Sequence, residues 1–163
     1  MRGMKVEILN LFVSPGHNYR GRHGKGALHH GNEDRDSIEC VAGSGIRGDR
    51  YFDFKEDFKG QITFFDAAVY EAMKRQFDRP DLQAGAVRRN VMVRGVDLNS
   101  LIGRRFRIGD VEFEGSEEAK PCYWMDEACA EGTEKFLEKS GGLRARIKVS
   151  GVLGKGMAEL TVL

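Results

Sequence analysis

Hydrophobic and polar residues alternate over short stretches along most of this chain, which is the pattern of half-buried β-strands. Met4–Val13 alternates in this way near the N-terminus, and Leu143–Val149 alternates against charged residues near the C-terminus. Between them, Gly109-Asp110 joins Arg105–Ile108 to Val111–Glu114 and predicts a tight hairpin. Further strands are expected at Ser37–Val41, Gln61–Phe65, Asn90–Arg94, Gly151–Leu153 and Met157–Leu163. We expect the last two of these strands to pair with each other.

Helical periodicity is confined to a few segments. Asp66 is a suitable N-cap for a helix over Ala67–Phe77, which must end before Pro80. Shorter helical pieces are expected over Asp126–Glu131 and Thr133–Lys139. Eight or nine short strands with two or three short helices predict a mainly β fold, a barrel or a sandwich rather than a parallel sheet. Without an internal repeat or a linker-like composition, residues 1–163 are expected to form a single domain.

Composition narrows the functional classes. A formal net charge of +1 argues against a nucleic-acid partner, because nucleic-acid binders carry a marked basic excess. No stretch reaches the ~18 apolar residues of a membrane span, and the N-terminus lacks a signal-peptide pattern. The three cysteines include no C-x-x-C pair, so reduced thiols are the simplest interpretation. We therefore expect a cytoplasmic protein with neither a nucleic-acid nor a membrane partner.

Cys122 is the main candidate for chemistry. It follows Pro121, which disfavours a mid-helix position, and the cation of Lys120 lies two residues away. A neighbouring cation favours the thiolate, which is the reactive form as a nucleophile, a sulfur carrier or a metal ligand. The alternative is an inert buried cysteine, and Cys40 and Cys129, in a strand and a helix, fit that alternative.

Arginines form the second candidate feature, because the guanidinium fork matches phosphate and carboxylate groups. Arg88 and Arg89 precede Asn90 at the start of a predicted strand. Arg47, Asp49 and Arg50 belong to a turn whose glycines allow backbone N–H groups to face an anion. For each arginine alone, a solvated surface position is the ordinary alternative. That alternative is preferred for the two arginines that alternate with apolar residues on a late strand, Arg144 and Arg146.

Four histidines occur in one long, glycine-rich stretch, and they are His17, His23, His29 and His30. Their spacing matches no metal motif, and adjacent residues of an extended chain point in opposite directions. We interpret them as polar loop residues, of which one could face a ligand. A loop of this length is compatible with a lid over a site. The chain has no P-loop, dinucleotide fingerprint, nucleophile elbow or zinc-protease helix.

Taken in order, several short motifs of this chain resemble the MOSC domain (molybdenum cofactor sulfurase C-terminal domain). Each motif is weak alone, but the ordered set is specific and extends over nearly the whole chain. The motifs are Gly45–Arg50, Arg89–Val91, Val93–Asn99, Ile108–Asp110, Pro121-Cys122 and Gly142–Arg146. The chain resembles a stand-alone bacterial member, without an aminotransferase-like desulfurase domain or a ferredoxin domain.

The resemblance implies a PK-barrel-like β-barrel and one cysteine that ligates molybdenum or carries sulfur, at the position of Cys122. It also implies binding of the molybdenum cofactor (molybdopterin), whose phosphate and metal-oxo groups are anionic. The cofactor-binding residues are then expected among Arg47, Asp49, Arg50, Arg88, Arg89, Asn90 and Lys120. The glycine-rich insertion from Gly16 to Gly31 is longer than this resemblance leads us to expect.

Three functions follow from the resemblance. The first is a cofactor-dependent oxidoreductase that acts through a Cys122-ligated molybdenum and receives electrons from an external donor. The second is a sulfur carrier or transferase, in which Cys122 holds a persulfide delivered by a pyridoxal-phosphate cysteine desulfurase. The third is a non-catalytic cofactor carrier. The substrate and the oligomeric state are not determined by the sequence.

Overall fold

The computed structural model of the chain describes residues 2–16 and 31–163. Eleven strands occur in this part of the chain, most of them short. They are β1 (Arg2–Val13), β2 (Glu33–Asp34), β3 (Ser37–Val41), β4 (Gly45–Ile46), β5 (Ile62–Asp66), β6 (Val91–Arg94), β7 (Arg105–Ile108), β8 (Val111–Glu118), β9 (Leu143–Val149), β10 (Gly151–Gly154) and β11 (Gly156–Val162). Three short α-helices accompany them, α1 (Ala67–Gln76), α2 (Trp124–Ala128) and α3 (Thr133–Phe136), so both predicted element types are confirmed.

Seven of the strands close into a barrel. Their order is β11-β7-β8-β9-β5-β6-β1, and pairing of β1 with β11 completes the ring. The barrel is mixed, because β5 and β6 are parallel while the other neighbouring pairs are antiparallel. The predicted hairpin is present between β7 and β8, with Gly109 at a positive φ of 59°. The barrel alternative is thus confirmed over the sandwich.

The last two strands do not pair with each other, so that prediction is wrong. β10 pairs with β3 in a separate three-stranded sheet of order β10-β3-β4. β11 instead fills the gap between β1 and β7. Closing the barrel requires a strand at that gap, and this long-range pairing overrides the tendency of adjacent strands to form a hairpin.

The barrel interior is filled by the buried faces of its strands. Phe64, Phe106 and Phe113 meet there at ring-centroid distances of 5.3 to 5.9 Å, and all three are 1% exposed or less. A second apolar cluster lies outside the barrel, where Met73 of α1 packs with Met92 and Leu137. The side chains of these two clusters are buried. Reactive groups that face solvent are therefore expected in the loops at the ends of the strands.

Helix α1 begins as the sequence predicts. Asp66 has extended backbone angles, and its carboxylate accepts a hydrogen bond from the N–H of Ala68 at 2.9 Å. Met73 is fully buried on the apolar face, while Lys74 and Glu71 form an ion pair on the outer face at 3.2 Å. None of the helices in the described residues is long and apolar enough to cross a membrane.

Candidate functional site around Cys122

Cys122 lies in the segment that leads from β8 to α2, and it is exposed. Pro121 directly precedes it, and the backbone carbonyl of Cys122 accepts a hydrogen bond from the N–H of Met125 at 3.0 Å. The cysteine therefore occupies the turn immediately before α2. Lys120, the predicted cation, is exposed in the same loop. We call residues 119–123 the Cys122 loop.

The other two cysteines are buried, as the sequence predicts. Burial raises the pKa of the Cys40 thiol to about 12, with a smaller contribution from Glu39. Burial likewise raises the pKa of Cys129 to about 11, although the positive charge of Arg89 opposes this shift. Both thiols therefore remain protonated near neutral pH, and Cys122 is the one exposed cysteine of the chain.

Arg89 holds the Cys122 loop against the barrel. Its Nη2 group donates to the carbonyl of Ala119 at 3.0 Å, at the start of the loop. Its Nε group donates to the carbonyl of Gly141, just before β9, at 2.9 Å. Its Nη1 group donates to the carbonyl of Val87 at 3.1 Å. One guanidinium thus ties together three segments that are distant in sequence.

The charge on Arg89 is desolvated and has no carboxylate partner among the described residues. Burial lowers its pKa to about 10, and the nearby charges of Arg50 and Arg144 act in the same direction. A negative charge at Cys122 or Tyr51 has the opposite effect and favours the cation. Arg89 remains positive at neutral pH, and it attracts an anionic group beside the exposed thiol.

Arg50, at the end of the glycine-containing turn, donates to the carbonyl of Arg88 at 3.4 Å and lies within electrostatic reach of Arg89. Asp49 is buried, and its carboxylate accepts hydrogen bonds from the backbone N–H groups of Ser14 at 3.0 Å and Tyr51 at 3.3 Å. The same carboxylate pairs with Arg50 at 3.4 Å. Asp49 therefore shapes the turn and orients Arg50, and a direct contact between Asp49 and a cofactor stays a prediction.

Two guanidiniums cap a pair of stacked rings close to this position. The rings of Tyr51 and Phe58 have centroids 5.3 Å apart and are inclined by 26°, and we call them the Tyr51–Phe58 stack. The Cζ atom of Arg50 lies 4.9 Å from the Tyr51 ring centroid. The Cζ atom of Arg144 lies 5.1 Å from that of Phe58. Such cation–π contacts stabilise each guanidinium in this position by about 0.5–1 kcal/mol.

Arg144 was not among the predicted cofactor-binding residues. The alternation of residues along the strand favoured a solvated position for Arg144. Its side chain is only 31% exposed and forms an ion pair with Glu117 at 2.7 Å. The structure brings it within electrostatic reach of Arg89. The signal available in the sequence was its place in the motif Gly142–Arg146, one of those on which the family resemblance depends.

Arg88 and Asn90, the two sequence neighbours of Arg89, form hydrogen bonds to other segments of the chain. Arg88 has a left-handed backbone, with φ of 56°, and its Nη2 group donates to Ser14 Oγ and to the carbonyl of Gly16, both at 3.1 Å. Asn90 is buried, accepts a hydrogen bond from the N–H of Thr63 at 2.9 Å and donates to the carbonyl of Phe12 at 3.1 Å. Cofactor contacts by either residue stay predictions.

Arg47 contacts the small sheet. It pairs with Glu39 of β3, and its Cζ atom lies 5.3 Å from the ring centroid of Phe52. Its predicted role in cofactor binding stays a prediction. The four histidines of the predicted lid, in residues 17–30, lie outside the described residues.

A metal held at Cys122 would need ligands from outside the described residues. In residues 2–16 and 31–163, no group of three His, Cys, Asp or Glu side chains could hold a metal ion. The site offers one soft thiolate donor and several guanidiniums. This donor set suits a metal that arrives with most of its ligands in place and with an anionic group attached.

Comparison with known proteins gives a family and a fold. The sequence pattern of the MOSC domain matches residues 26–159. The YuaD protein from Bacillus subtilis superposes with a TM-score of 0.79 at 17% identity, over 99% of this chain and 98% of that one. YiiM from Escherichia coli superposes with a TM-score of 0.70 at 16% identity, over 98% of this chain and 70% of that one. A search of curated protein sequences finds no significant match.

Proposed function

Because the chain belongs to the MOSC domain family, we propose that it binds the molybdenum cofactor and acts as a cofactor-dependent oxidoreductase with Cys122 as the metal ligand. MOSC domains are associated with binding of this cofactor. The observation that carries the proposal is the desolvated cation of Arg89, which has no carboxylate partner in the described residues and interacts electrostatically with Cys122, an exposed cysteine. Three backbone carbonyls accept hydrogen bonds from this guanidinium, and an anionic ligand would supply the opposite charge that the described residues do not.

The residues present fit the cofactor. Cys122 supplies a soft donor on an accessible loop, and the cofactor brings the remaining metal ligands. Arg50, Arg88 and Arg89 supply guanidiniums whose fork matches a phosphate group. Lys120 adds an exposed ammonium two residues from the thiol. The ammonium of Lys120 and the thiol of Cys122 therefore come from the Cys122 loop. The guanidiniums proposed to bind phosphate come from other segments of the chain.

Each side chain has a distinct part in the reaction. When bound, the cofactor supplies the oxygen-atom and electron-transfer chemistry. Cys122 holds the metal in one position relative to the protein. Arg89 keeps the Cys122 loop attached to the barrel through Ala119 and Gly141. The sequence carries no flavin or iron–sulfur motif, so an external electron donor is part of the proposal.

The first prediction concerns the metal content of the purified chain. Wild-type protein from a cofactor-replete host is expected to contain molybdenum and pterin. Cys122→Ser should lower the molybdenum-to-protein ratio at least tenfold, because loss of even an outer-shell partner costs roughly 10–100-fold in metal affinity. The measurements are elemental analysis and fluorescence of the oxidised pterin, on samples whose folding is checked by circular dichroism.

Cys40→Ala is the matched control, since it removes a buried thiol in β3 and should leave the metal content unchanged. Wild-type protein without molybdenum would exclude cofactor binding. Equal molybdenum in wild type and Cys122→Ser would assign the metal to another residue. Bound cofactor without reductase or sulfur-transfer activity across a substrate panel would favour the non-catalytic carrier.

A second function, sulfur transfer, is favoured by the exposure of Cys122. A thiol on a surface loop is accessible to a partner protein, whereas Cys40 and Cys129 are not. In this alternative, Cys122 thiolate accepts a sulfur atom from the persulfide of a pyridoxal-phosphate cysteine desulfurase. The donor cysteine leaves as a thiolate, so atoms and charge balance. Arg89 then stabilises the resulting persulfide anion.

Incubation with a cysteine desulfurase and free cysteine is expected to add one sulfur atom, about 32 Da, to Cys122. Intact-mass and peptide mass spectrometry would locate the added sulfur. Cys122→Ser should show no increase, and reduction with dithiothreitol should reverse it in the wild type. The same mass increase in Cys122→Ser would refute transfer through this cysteine.

A further inference from the structure

Arg144 of β9 has no assigned role in the function proposed above. Its neighbours Leu143 and Ala145 are buried in the barrel, so Arg144 lies on the outer face of the strand. It is opposite Thr63 of β5 and Glu117 of β8 in the sheet register. Because β8 leads directly into the Cys122 loop, Arg144 and that loop lie at the same end of these strands.

Three neighbours fix the Arg144 guanidinium. Nη1 donates to Glu117 at 2.7 Å, and Cζ lies over the Phe58 ring at 5.1 Å. A Cβ atom built on Gly60 would lie 2.7 Å from Nε and 2.8 Å from Nη2. The guanidinium therefore occupies space that any larger residue at position 60 would fill.

The charges around Arg89 show why this position matters. Arg50 and Arg144 both act on the Arg89 charge, so three guanidiniums lie within electrostatic reach of one another. Asp49 pairs with Arg50 and Glu117 pairs with Arg144, which leaves Arg89 as the one of these three guanidiniums without a carboxylate partner in the described residues. The Arg89 charge interacts electrostatically with Cys122, whose thiol is exposed.

We propose that Arg144 is an anion-binding residue of the Cys122 site, and that Phe58 and Gly60 are the residues that position its guanidinium. Its ligand is a small oxoanion group such as phosphate, carried by the cofactor or by a substrate. Glu117, whose side chain is 41% exposed, pairs with Arg144 and is displaced to solvent when the anion binds. The proposal rests on the proposed function for the role of the anion, but its test needs no cofactor.

The test compares two alkylating reagents on the cofactor-free full chain. Iodoacetate is anionic and iodoacetamide is neutral, and both form a carbon–sulfur bond to the Cys122 thiolate with release of iodide. The ratio of their rates cancels thiolate fraction and accessibility, and it reports the electrostatic potential at the thiol. Cys40 and Cys129 are buried with raised pKa values, so they contribute little signal. Peptide mass spectrometry confirms the modified residue.

Arg144→Gln is expected to lower the iodoacetate-to-iodoacetamide ratio about threefold to tenfold, with a smaller change at high salt. Gly60→Ala keeps the charge but displaces the guanidinium, and it should lower the ratio in the same direction. Arg146→Gln is the matched control, because Arg146 lies two positions along β9 and pairs with Asp57 and Glu114. Its ratio should stay within about twofold of the wild type, since surface charges are screened over roughly 10 Å.

Titration calorimetry with inorganic phosphate supplies the second arm. Wild-type protein is expected to bind phosphate more tightly than Arg144→Gln. If cofactor loading abolishes phosphate binding, Arg144 serves the cofactor's phosphate, and if binding persists, it serves an anionic substrate. Equal alkylation ratios in the wild type, Arg144→Gln and Arg146→Gln would overturn the proposal. If Arg144→Gln does not fold, an unchanged ratio in Gly60→Ala would do so. A chain that never binds molybdenum can still pass this test, so the two proposals fail separately.

Discussion

Arg89→Gln is expected to lower the free energy of unfolding by about 3 kcal/mol and to loosen the Cys122 loop. The arginine donates hydrogen bonds to the carbonyls of Ala119, Gly141 and Val87, and the two N–H groups of a glutamine amide cannot replace all three. Each buried carbonyl that is left unsatisfied costs ~1–3 kcal/mol. Removal of a desolvated charge offsets part of this loss, which sets the net effect near the lower end of the sum.

Urea denaturation would measure the stability change, and hydrogen exchange would measure the loosening of the loop. The informative amide is that of Ala119, which donates to Gly142 at 2.8 Å and should exchange faster in the variant. Arg104→Gln is the charge-matched control, because Arg104 is exposed and its loss should cost less than about 0.5 kcal/mol. Equal stabilities for Arg89→Gln and Arg104→Gln would contradict the role of Arg89 as the attachment point of the loop.

Arg89→Lys separates charge from geometry. Lysine keeps the positive charge near Cys122 but lacks the planar fork that reaches three carbonyls. We expect its iodoacetate-to-iodoacetamide ratio to remain close to wild type while its stability falls towards that of Arg89→Gln. An unchanged stability together with an unchanged ratio would mean that Arg89 acts through its charge alone.

Gly141→Ala has the second large expected effect, a loss of about 3 kcal/mol. A Cβ atom at this position would lie 2.2 Å from the carbonyl oxygen of Ala119 and 2.8 Å from Cδ of Pro121. Neither a backbone carbonyl nor a proline ring can rotate away, so the Cys122 loop itself must move. Overpacking of this kind costs ~1–3 kcal/mol, and displacement of the Gly141 carbonyl also weakens its bond to Arg89.

For a chain of this size, that loss corresponds to a melting temperature about 6–12 °C lower. Differential scanning calorimetry would measure it, and the rate of Cys122 alkylation would show whether the loop has moved. Gly154→Ala in β10 is the control, because the nearest atom to its Cβ is the Asp36 carbonyl oxygen at 3.8 Å. Its stability should change by less than about 1 kcal/mol. If both variants melt at the same temperature, the close packing under Cys122 is not a constraint.

The two variants test one architectural feature, the dependence of the thiol on a distant strand. Cys122 lies in a loop, and the helix that follows this loop, α2, has only five residues. Its loop is positioned by Arg89, which lies beside β6, and by Gly141, which precedes β9. The position of Cys122 therefore depends on closure of the barrel. A variant that destabilises the barrel should also displace the Cys122 loop.

Local signals in the sequence were sufficient for most elements. The cap at Asp66, the hairpin at Gly109-Asp110 and the alternation of Leu143–Val149 each depend on residues within one turn or strand. The pairing of β10 was missed because its partner, β3, is more than a hundred residues away. Strand partners follow from how the whole ring closes, which no local pattern records.

The same division applies to the site. From the sequence alone we could identify Cys122 as the candidate thiol and the arginines as candidate anion-binding groups, because a turn, a proline and charged side chains are local properties. Only the tertiary structure decided which arginines lie near the thiol. The β5–β9 and β8–β9 pairings bring Arg144 towards Arg89, while the turn that follows β4 brings Arg50 to the carbonyl of Arg88. Electrostatic coupling depends on distance in space, and strand register in a closed barrel sets that distance.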